Sequence, residues 1–315
     1  MKLLRRIQDR ITGWDPYDRF VLRKRVLMET DASFVRRRYR EELGLEPDWT
    51  NPRTFCEKIT WLLLNYRPHH LAPLADKFEV RTFIQERIGS AHLTDMVGLY
   101  ERAQEADWSA LPDAFVLKAT HGSKWNLLCP DKTQLNFPRA QAKMKYWLSR
   151  NFYWYGREWI YRDLKPRIIA ECFLRGPDGQ PPADLKFFCF NGNPRLVQVD
   201  ADRFRCHRRS FYTPDWKRLP ATMTFPPIEN PMPAPSRLEA MLDICRRLAQ
   251  GIPFVRVDLY DCPDRIVFGE LTFLPGRGIE PFDQDDFNQQ IGDWISLPHP
   301  VPDTSMAPRI RAALR

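Results

Sequence analysis

Residues 253–276 read PFVRVDLYDCPDRIVFGELTFLPG, and the reading of this stretch decides the fold. Two apolar runs, 254–260 and 265–273, flank the turn-forming Asp261-Cys262-Pro263-Asp264, a pattern that predicts a β-hairpin. An acid interrupts each run, Asp258 in the first and Glu270 in the second. A three-residue loop would set Asp261 opposite Arg265 and Arg256 opposite Glu270. Side chains alternate along a strand, so Arg256, Asp258, Glu270 and Thr272 are expected on one face. Two carboxylates side by side repel unless positive charge lies between them, and a hard cation with oxygen ligands, Mg²⁺ above all, suits that place. A half-buried hairpin with its polar face in water accounts for the same pattern without any ligand.

Upstream of the hairpin, residues 238–250 have helical periodicity, and six prolines between 220 and 235 mark an irregular crossing. Runs 185–190 and 195–199 read as strands joined by an Asn191-Gly192 turn, and 167–174 as a strand before them. Residues 137–150 look helical, 115–118 form a strand that runs directly into His121-Gly122-Ser123-Lys124, and a short strand covers 96–100. Asp76 is placed as the N-cap of a helix that Gly89 stops. Helices are also expected over 54–66 and, two or three of them, over 1–44. A helical front followed by mixed and then antiparallel segments predicts an α+β architecture of two subdomains with a cleft between them. The expected boundaries are a helical segment 1–75, subdomains 76–165 and 166–295, and a tail 296–315.

Lysines at strand positions point to the ligand class. Lys118 ends an apolar strand above a loop containing Gly122 and Ser123, where an ammonium and free N–H groups suit polyphosphate. Lys186 lies inside the otherwise apolar LKFFCF, and burying a charge there is costly without an anion. A lone lysine at a strand end is usually just snorkelling, and it is the pair that favours an anion. Glu171, an acid inside RIIAECFL, reads as a hydrogen-bond acceptor for a nucleotide or as an ion-pair partner of Arg167. His121, in the loop, could donate to an anion; His207 lies in a basic segment, and neither has metal-ligand spacing with another His or Cys.

Composition narrows the class further. The chain has 315 residues with 43% hydrophobic and 28% charged content, values of a globular protein with room for a sizeable core. It has no apolar run near the ~20 residues of a membrane span, and its first residues do not read as a secretory signal. Seven scattered cysteines without a CxxC pair fit reduced thiols in a cytoplasm. Of the net +8, much lies in residues 1–44, where twelve Lys/Arg face seven Asp/Glu. Leu3, Leu4, Ile7 and Ile11 recur at helical spacing beside Arg5, Arg6 and Arg10, so this basic helix either lies on the inner face of a membrane or packs on the body. No recognition motif for nucleic acid is present, and none is expected as a partner.

Taken in order, EKITWL at 57–62, DKFEVR at 76–81, LPDAFVLKATHGSKWN at 111–126, YGREW at 155–159, PRIIAE at 166–171, DLKFFCFNG at 184–192, QVDADRF at 198–204 and the closing hairpin resemble the ATP-grasp superfamily. Within it the resemblance is to the TupA-like group associated with teichuronopeptide and other surface-polysaccharide biosynthesis, including capsule, and it covers roughly residues 50–295. It implies an ATP-grasp fold whose two α+β subdomains grip ATP. Lys118 and Lys186 would hold phosphates or the adenine edge, Lys77 or Arg81 would meet the phosphates, and Glu171 would sit at adenine and ribose. Asp258 and Glu270 would bridge Mg²⁺, with Arg256 stabilising the developing oxyanion. Thr272 stands where the family's usual GE-x-N pattern puts an asparagine metal ligand. The implied activity is an ATP-dependent carboxylate–amine ligase that works through an acyl phosphate on an acidic sugar or amino acid.

Two rival readings remain at this level. Asp200-Ala201-Asp202 after a strand could be the DxD of a metal-dependent glycosyltransferase. A non-catalytic nucleotide-binding protein of a polysaccharide assembly complex is the other, with Thr272 its best argument.

Overall fold

The computed structural model describes residues 28–176, 179, 181–201 and 206–302. The basic helix expected over residues 1–14, and Asp202 of the DxD triplet, lie outside these. The chain builds two antiparallel sheets. The first has four strands: β1 (Met96–Tyr100), β2 (Phe115–Ala119), β3 (Asn126–Cys129) and β4 (Ile168–Cys172), in the order β1-β4-β2-β3. The second has six: β5 (Asp184–Phe190), β6 (Asn193–Ala201), β7 (Arg208–Tyr212), β8 (Arg218–Leu219), β9 (Phe254–Asp261) and β10 (Ile266–Thr272), in the order β10-β9-β5-β6-β7-β8. β4 lies beyond the expected boundary at residue 165 and yet pairs between β1 and β2, so the first sheet takes a strand from the far side of that boundary. β3 and β7 were not among the strands expected from the sequence, because Asn126–Cys129 is short and Arg208–Tyr212 begins with two arginines.

Local sequence accounts for the regular elements. Asn191 and Gly192 both take positive φ, 48° and 84°, the backbone that a two-residue turn between twisted strands requires. Helix α1 is Asp31–Leu43, and helix α2 is Phe55–Asn65. Thr54 starts α2 with a reciprocal capping box: its hydroxyl accepts from Glu57 N at 3.2 Å, and the Glu57 carboxylate accepts from Thr54 N at 3.0 Å. Helix α3 (Val80–Ile88) follows a turn in which the Asp76 carboxylate accepts from the backbone N–H of Phe78 and Glu79, and Gly89 ends it at φ +99°. Helices α4 (Phe137–Leu148), α5 (Leu238–Ala249) and α6 (Asp285–Asp293) complete the set that positions the sheets. None of the helices described is long and apolar enough to cross a membrane.

The two faces of the six-stranded sheet differ, and this difference places the site. Leu185, Phe187 and Cys189 pair with Leu259, Val257 and Val255, and all six are buried on the face where Cys189 meets Cys245 of α5. On the other face Phe188, Phe190 and Phe254 lie at the end nearest the Asn191-Gly192 turn, under Phe55 of α2, whose ring is 5.5 Å from that of Phe254. Burying rings of this size contributes about 1.5–3 kcal/mol each. Farther along the same face the residues become Lys186, Asp184, Gln198, Asp200, Arg256 and Asp258. Apolar packing thus fixes one end of the face and leaves a charged plateau at the other. Helix α6 locks α2 in place through Gly292, where a Cβ would stand 2.0 Å from the Arg53 carbonyl.

Candidate active site

The hairpin exists, with a register unlike the expected one. Four residues, 262–265, connect the strands, closed by Cys262 N donating to Arg265 O at 3.0 Å, and Asp261 pairs with Ile266 rather than Arg265. That loop alone would have turned Glu270 away from Asp258. A bulge between Phe268 and Glu270 absorbs the extra residue, so Glu270 pairs with Asp258, and Thr272, not Glu270, faces Arg256. Gly269 occupies the bulge, where a Cβ would lie 3.0 Å from Asp258 O and 3.1 Å from the Tyr260 ring. All four functional side chains of the hairpin share one face.

Positive charge does sit between the two acids, and the protein supplies it. Arg256 donates Nε to Asp258 Oδ1 at 2.6 Å and Nη2 to Asp258 Oδ2 at 2.7 Å, with further contacts to Glu270 Oε1 at 3.2 Å and Thr272 Oγ1 at 3.0 Å. Lys186 donates to Asp258 Oδ2 at 2.8 Å and to Asp184. Burial pushes the Asp258 carboxyl upward, while the three N–H donors around its oxygens favour the ionised form. Glu270 feels the same opposition: burial raises it, but Lys77, Arg256 and Lys186 hold it down to about 2. Thr272 donates to Glu270 at 3.1 Å while accepting from Arg256, so its hydroxyl is engaged between neighbours rather than open as a metal ligand.

A second charged cluster lies on the first sheet. Glu171 of β4 takes Lys118 Nζ at 2.6 Å and Arg81 Nη1 at 3.3 Å. Its expected alternative partner, Arg167, instead pairs with Glu79 at 2.5 Å and approaches Asp76 at 3.7 Å. Lys77, Arg81, Lys118, Glu171, Phe268 and Gly269 line one cleft, which brings the two sheets' clusters to a common space. Lys77 joins them: its ammonium donates to Gly122 O at 2.7 Å and stands 3.8 Å from Glu270 Oε2.

The loop after β2 is held from behind. Asp76, fully buried, accepts from Thr120 Oγ1 at 2.8 Å, and Lys77 N donates to Thr120 O at 3.2 Å. Gly122 is required because a Cβ would meet the Trp125 ring at 2.7 Å. Ser123 is half-buried in the same loop. His121 does not face the cleft, which corrects the expectation that it donates to an anion. It is 1% exposed, its Nε2 contacts Trp147 O at 3.0 Å, and burial lowers its pKa, so the ring is neutral and structural. Lys186, expected at a phosphate, is likewise 6% exposed and already lies between Asp184 and Asp258.

Asp200, read from the sequence as half of a DxD, completes the plateau together with Arg209 and Gln198, which the sequence did not single out. Asp200 accepts from Arg209 Nε at 2.7 Å and Nη2 at 3.4 Å, and from Gln198 Nε2 at 3.0 Å. Burial would raise its pKa, but the Arg209 hydrogen bond and charge reverse this and hold it to about 2. Both oxygens of Asp200 are engaged by Arg209, as those of Asp258 are by Arg256, and Asp202, the other half of the DxD triplet, lies outside the described residues. The signal for these residues was the alternation of polar and apolar positions in DLKFF and QVDA.

Among the described residues no three His, Cys, Asp or Glu side chains form a metal cage. The donor set still fits Mg²⁺ of the kind bound through one or two carboxylates and substrate phosphates, because Asp258 and Glu270 are adjacent hard oxygen donors beside a lysine-lined cleft.

The model of the family described as TupA-like ATPgrasp matches residues 57–296. None of the curated proteins matches the chain by sequence. Among solved structures, D-alanine–D-alanine ligase from Bacillus anthracis is 15% identical with a TM-score of 0.38, over 64% of this chain and 58% of its own. The ATP-grasp ligase PsnB complexed with minimal precursor is 11% identical with a TM-score of 0.38, over 66% of this chain and 54% of its own. The chain therefore spans little more than half the length of these solved proteins. On the extent of the family match, which takes in the hairpin, both sheets and every residue of the two charged clusters, this chain belongs to the TupA-like ATP-grasp family.

Proposed function

We propose that the chain is an ATP-dependent carboxylate–amine ligase that binds Mg-ATP in the cleft between its two sheets and activates a carboxylate as an acyl phosphate. One observation carries this reading: Lys77, Arg81 and Lys118 line one cleft, and Lys77 stands 3.8 Å from Glu270, the strand partner of Asp258. Lysines and arginine facing a common space suit a polyphosphate, and paired carboxylates suit its metal.

The roles follow from charge. Lys77 and Lys118 bind phosphate oxygens and orient the transferring group toward the plateau. Glu171, already a hydrogen-bond acceptor, receives donors from the base or ribose. Asp258 and Glu270 would hold Mg²⁺, which supplies charge neutralisation at the transferring phosphoryl group. Arg256, fixed by both acids, presents its guanidinium where negative charge develops, first on the phosphoryl oxygens and then on the oxyanion of the tetrahedral intermediate. A carboxylate is a poor electrophile until phosphorylated, and an amine then displaces phosphate to give the amide. The substrates are an acidic sugar or an amino acid in surface-polysaccharide synthesis, a role that rests on the TupA-like family alone.

The test is release of ADP from Mg-ATP in the presence of uronic-acid sugars plus amino acids. A thermal melt serves as the binding control. A shift with a UDP-sugar but none with ATP or ADP would overturn the proposal, and nucleotide binding without turnover on any such pair would favour a non-catalytic nucleotide-binding protein.

A further inference from the structure

Beyond the acid pair, the charged plateau borders a second pocket, which Arg256 lines. Its walls include Phe55 of α2, Phe188 of β5, Met223, Arg209 of β7, Arg256 and Glu280. Phe55, Phe188 and Met223 are buried and give it an apolar floor. Arg209 and Arg256 each spend Nε and Nη2 on a neighbouring carboxylate, and the Nη1 of each has no hydrogen-bond partner among the described residues. Glu280 is half-buried, packed against Gly276, and its carboxylate has neither hydrogen bond nor ion pair among the described residues. The pocket therefore presents two guanidinium donors and one uncompensated anion above an apolar floor.

Few ligand classes satisfy all three groups. A bare divalent cation would find one acid and two repelling guanidinium groups. A dicarboxylate would face Glu280 with like charge, and a simple amine would leave both guanidinium groups unmatched. A small zwitterion answers each group: its carboxylate takes the Nη1 donors, and its ammonium takes Glu280. We infer that this pocket is the amine-substrate subsite of the ligase, and that the amine substrate is a free amino acid whose ammonium group is received by Glu280. The inference rests on the ligase reading, since the pocket gains its meaning from Arg256, which lines it and which that reading places beside the activated carboxylate.

The full chain is saturated with Mg-ADP, and the common L-amino acids are titrated by calorimetry, with ethanolamine as the amine-only probe and glycolate as the acid-only probe. At least one amino acid is expected to bind, at least tenfold more tightly than either probe. Glu280→Gln, nearly isosteric at a position without a partner, is expected to weaken that amino acid at least tenfold, with Mg-ADP affinity unchanged and Glu280→Asp recovering part of the loss. Binding of no amino acid, equal binding of ethanolamine, or a Glu280→Gln variant that binds like wild type would overturn the assignment of the pocket alone. Failure of Mg-ADP to bind the wild-type chain would overturn the ligase reading and this subsite with it.

Discussion

Glu270 stands directly across from Asp258 on neighbouring strands, although the turn joining those strands is one residue too long to put it there. The bulge at Gly269 makes up the difference. Gly269→Val would force a branched side chain against Asp258 O and the Tyr260 ring and disturb the pairing beside the acids. Mg-ATP affinity is expected to fall at least tenfold, with circular dichroism near wild type. Unchanged affinity would mean that the bulge does not set the site.

Lys118 and Lys186 are expected to separate in their effects. Lys118 is partly open to the cleft and paired with Glu171, so Lys118→Ala should weaken Mg-ATP by about tenfold or more, the ~1.5–3 kcal/mol of a charge-assisted contact, and leave the melting temperature nearly unchanged. Lys186 is buried between two aspartates, so Lys186→Ala leaves uncompensated charge and should also destabilise the fold by roughly 3–5 kcal/mol. Urea melts of both variants decide this; equal stability of the two would contradict the buried pairing.

Arg256→Lys keeps the charge but loses the fork that grips Asp258 through two nitrogens. The rate of ADP release should drop by about a hundredfold while Mg-ATP affinity changes by less than tenfold, because the lost contact forms mainly in the transition state. A loss confined to affinity would assign Arg256 to ground-state binding.

Glu158 gives a pH signature away from the acid pair. Burial pushes its pKa up to about 8, with Arg277 opposing. An acid whose folded pKa lies above its unfolded value takes up a proton on folding, so its contribution declines as pH rises from about 4.5 to about 8 and is level beyond. Glu158→Gln should therefore gain stability relative to wild type as pH rises through that window and converge with it below pH 4. Parallel stability–pH curves for the two proteins would refute the buried, protonated acid.

Much of this architecture is legible in the sequence where local rules act. The Asn191-Gly192 turn, helix α5 and the hairpin follow from turn chemistry and period, whereas Asp76, expected as an N-cap, closes the turn ahead of α3, whose N-cap is Glu79. The parity of Arg256, Asp258, Glu270 and Thr272 was also readable, but their partners were not, because a bulge is a compromise between strand pairing and loop length that no single position announces. The inward turn of His121 escaped for a similar reason: it depends on Trp147 and Trp125, and Trp147 lies 26 positions away. The arginine that grips Asp200 was likewise not readable, because Arg209 comes to it from the neighbouring strand.

The cations named around the cleft already have acids for company: Lys77 with Glu270, Lys118 and Arg81 with Glu171, Lys186 and Arg256 with Asp258. Filling such a site is ion exchange rather than simple addition. A triphosphate that draws Lys77 away leaves Glu270 short of a counter-ion, and a divalent metal is what restores it. Nucleotide and metal should therefore each raise the affinity of the other by the same factor, and ATP stripped of Mg²⁺ should bind poorly to a cleft lined with lysines.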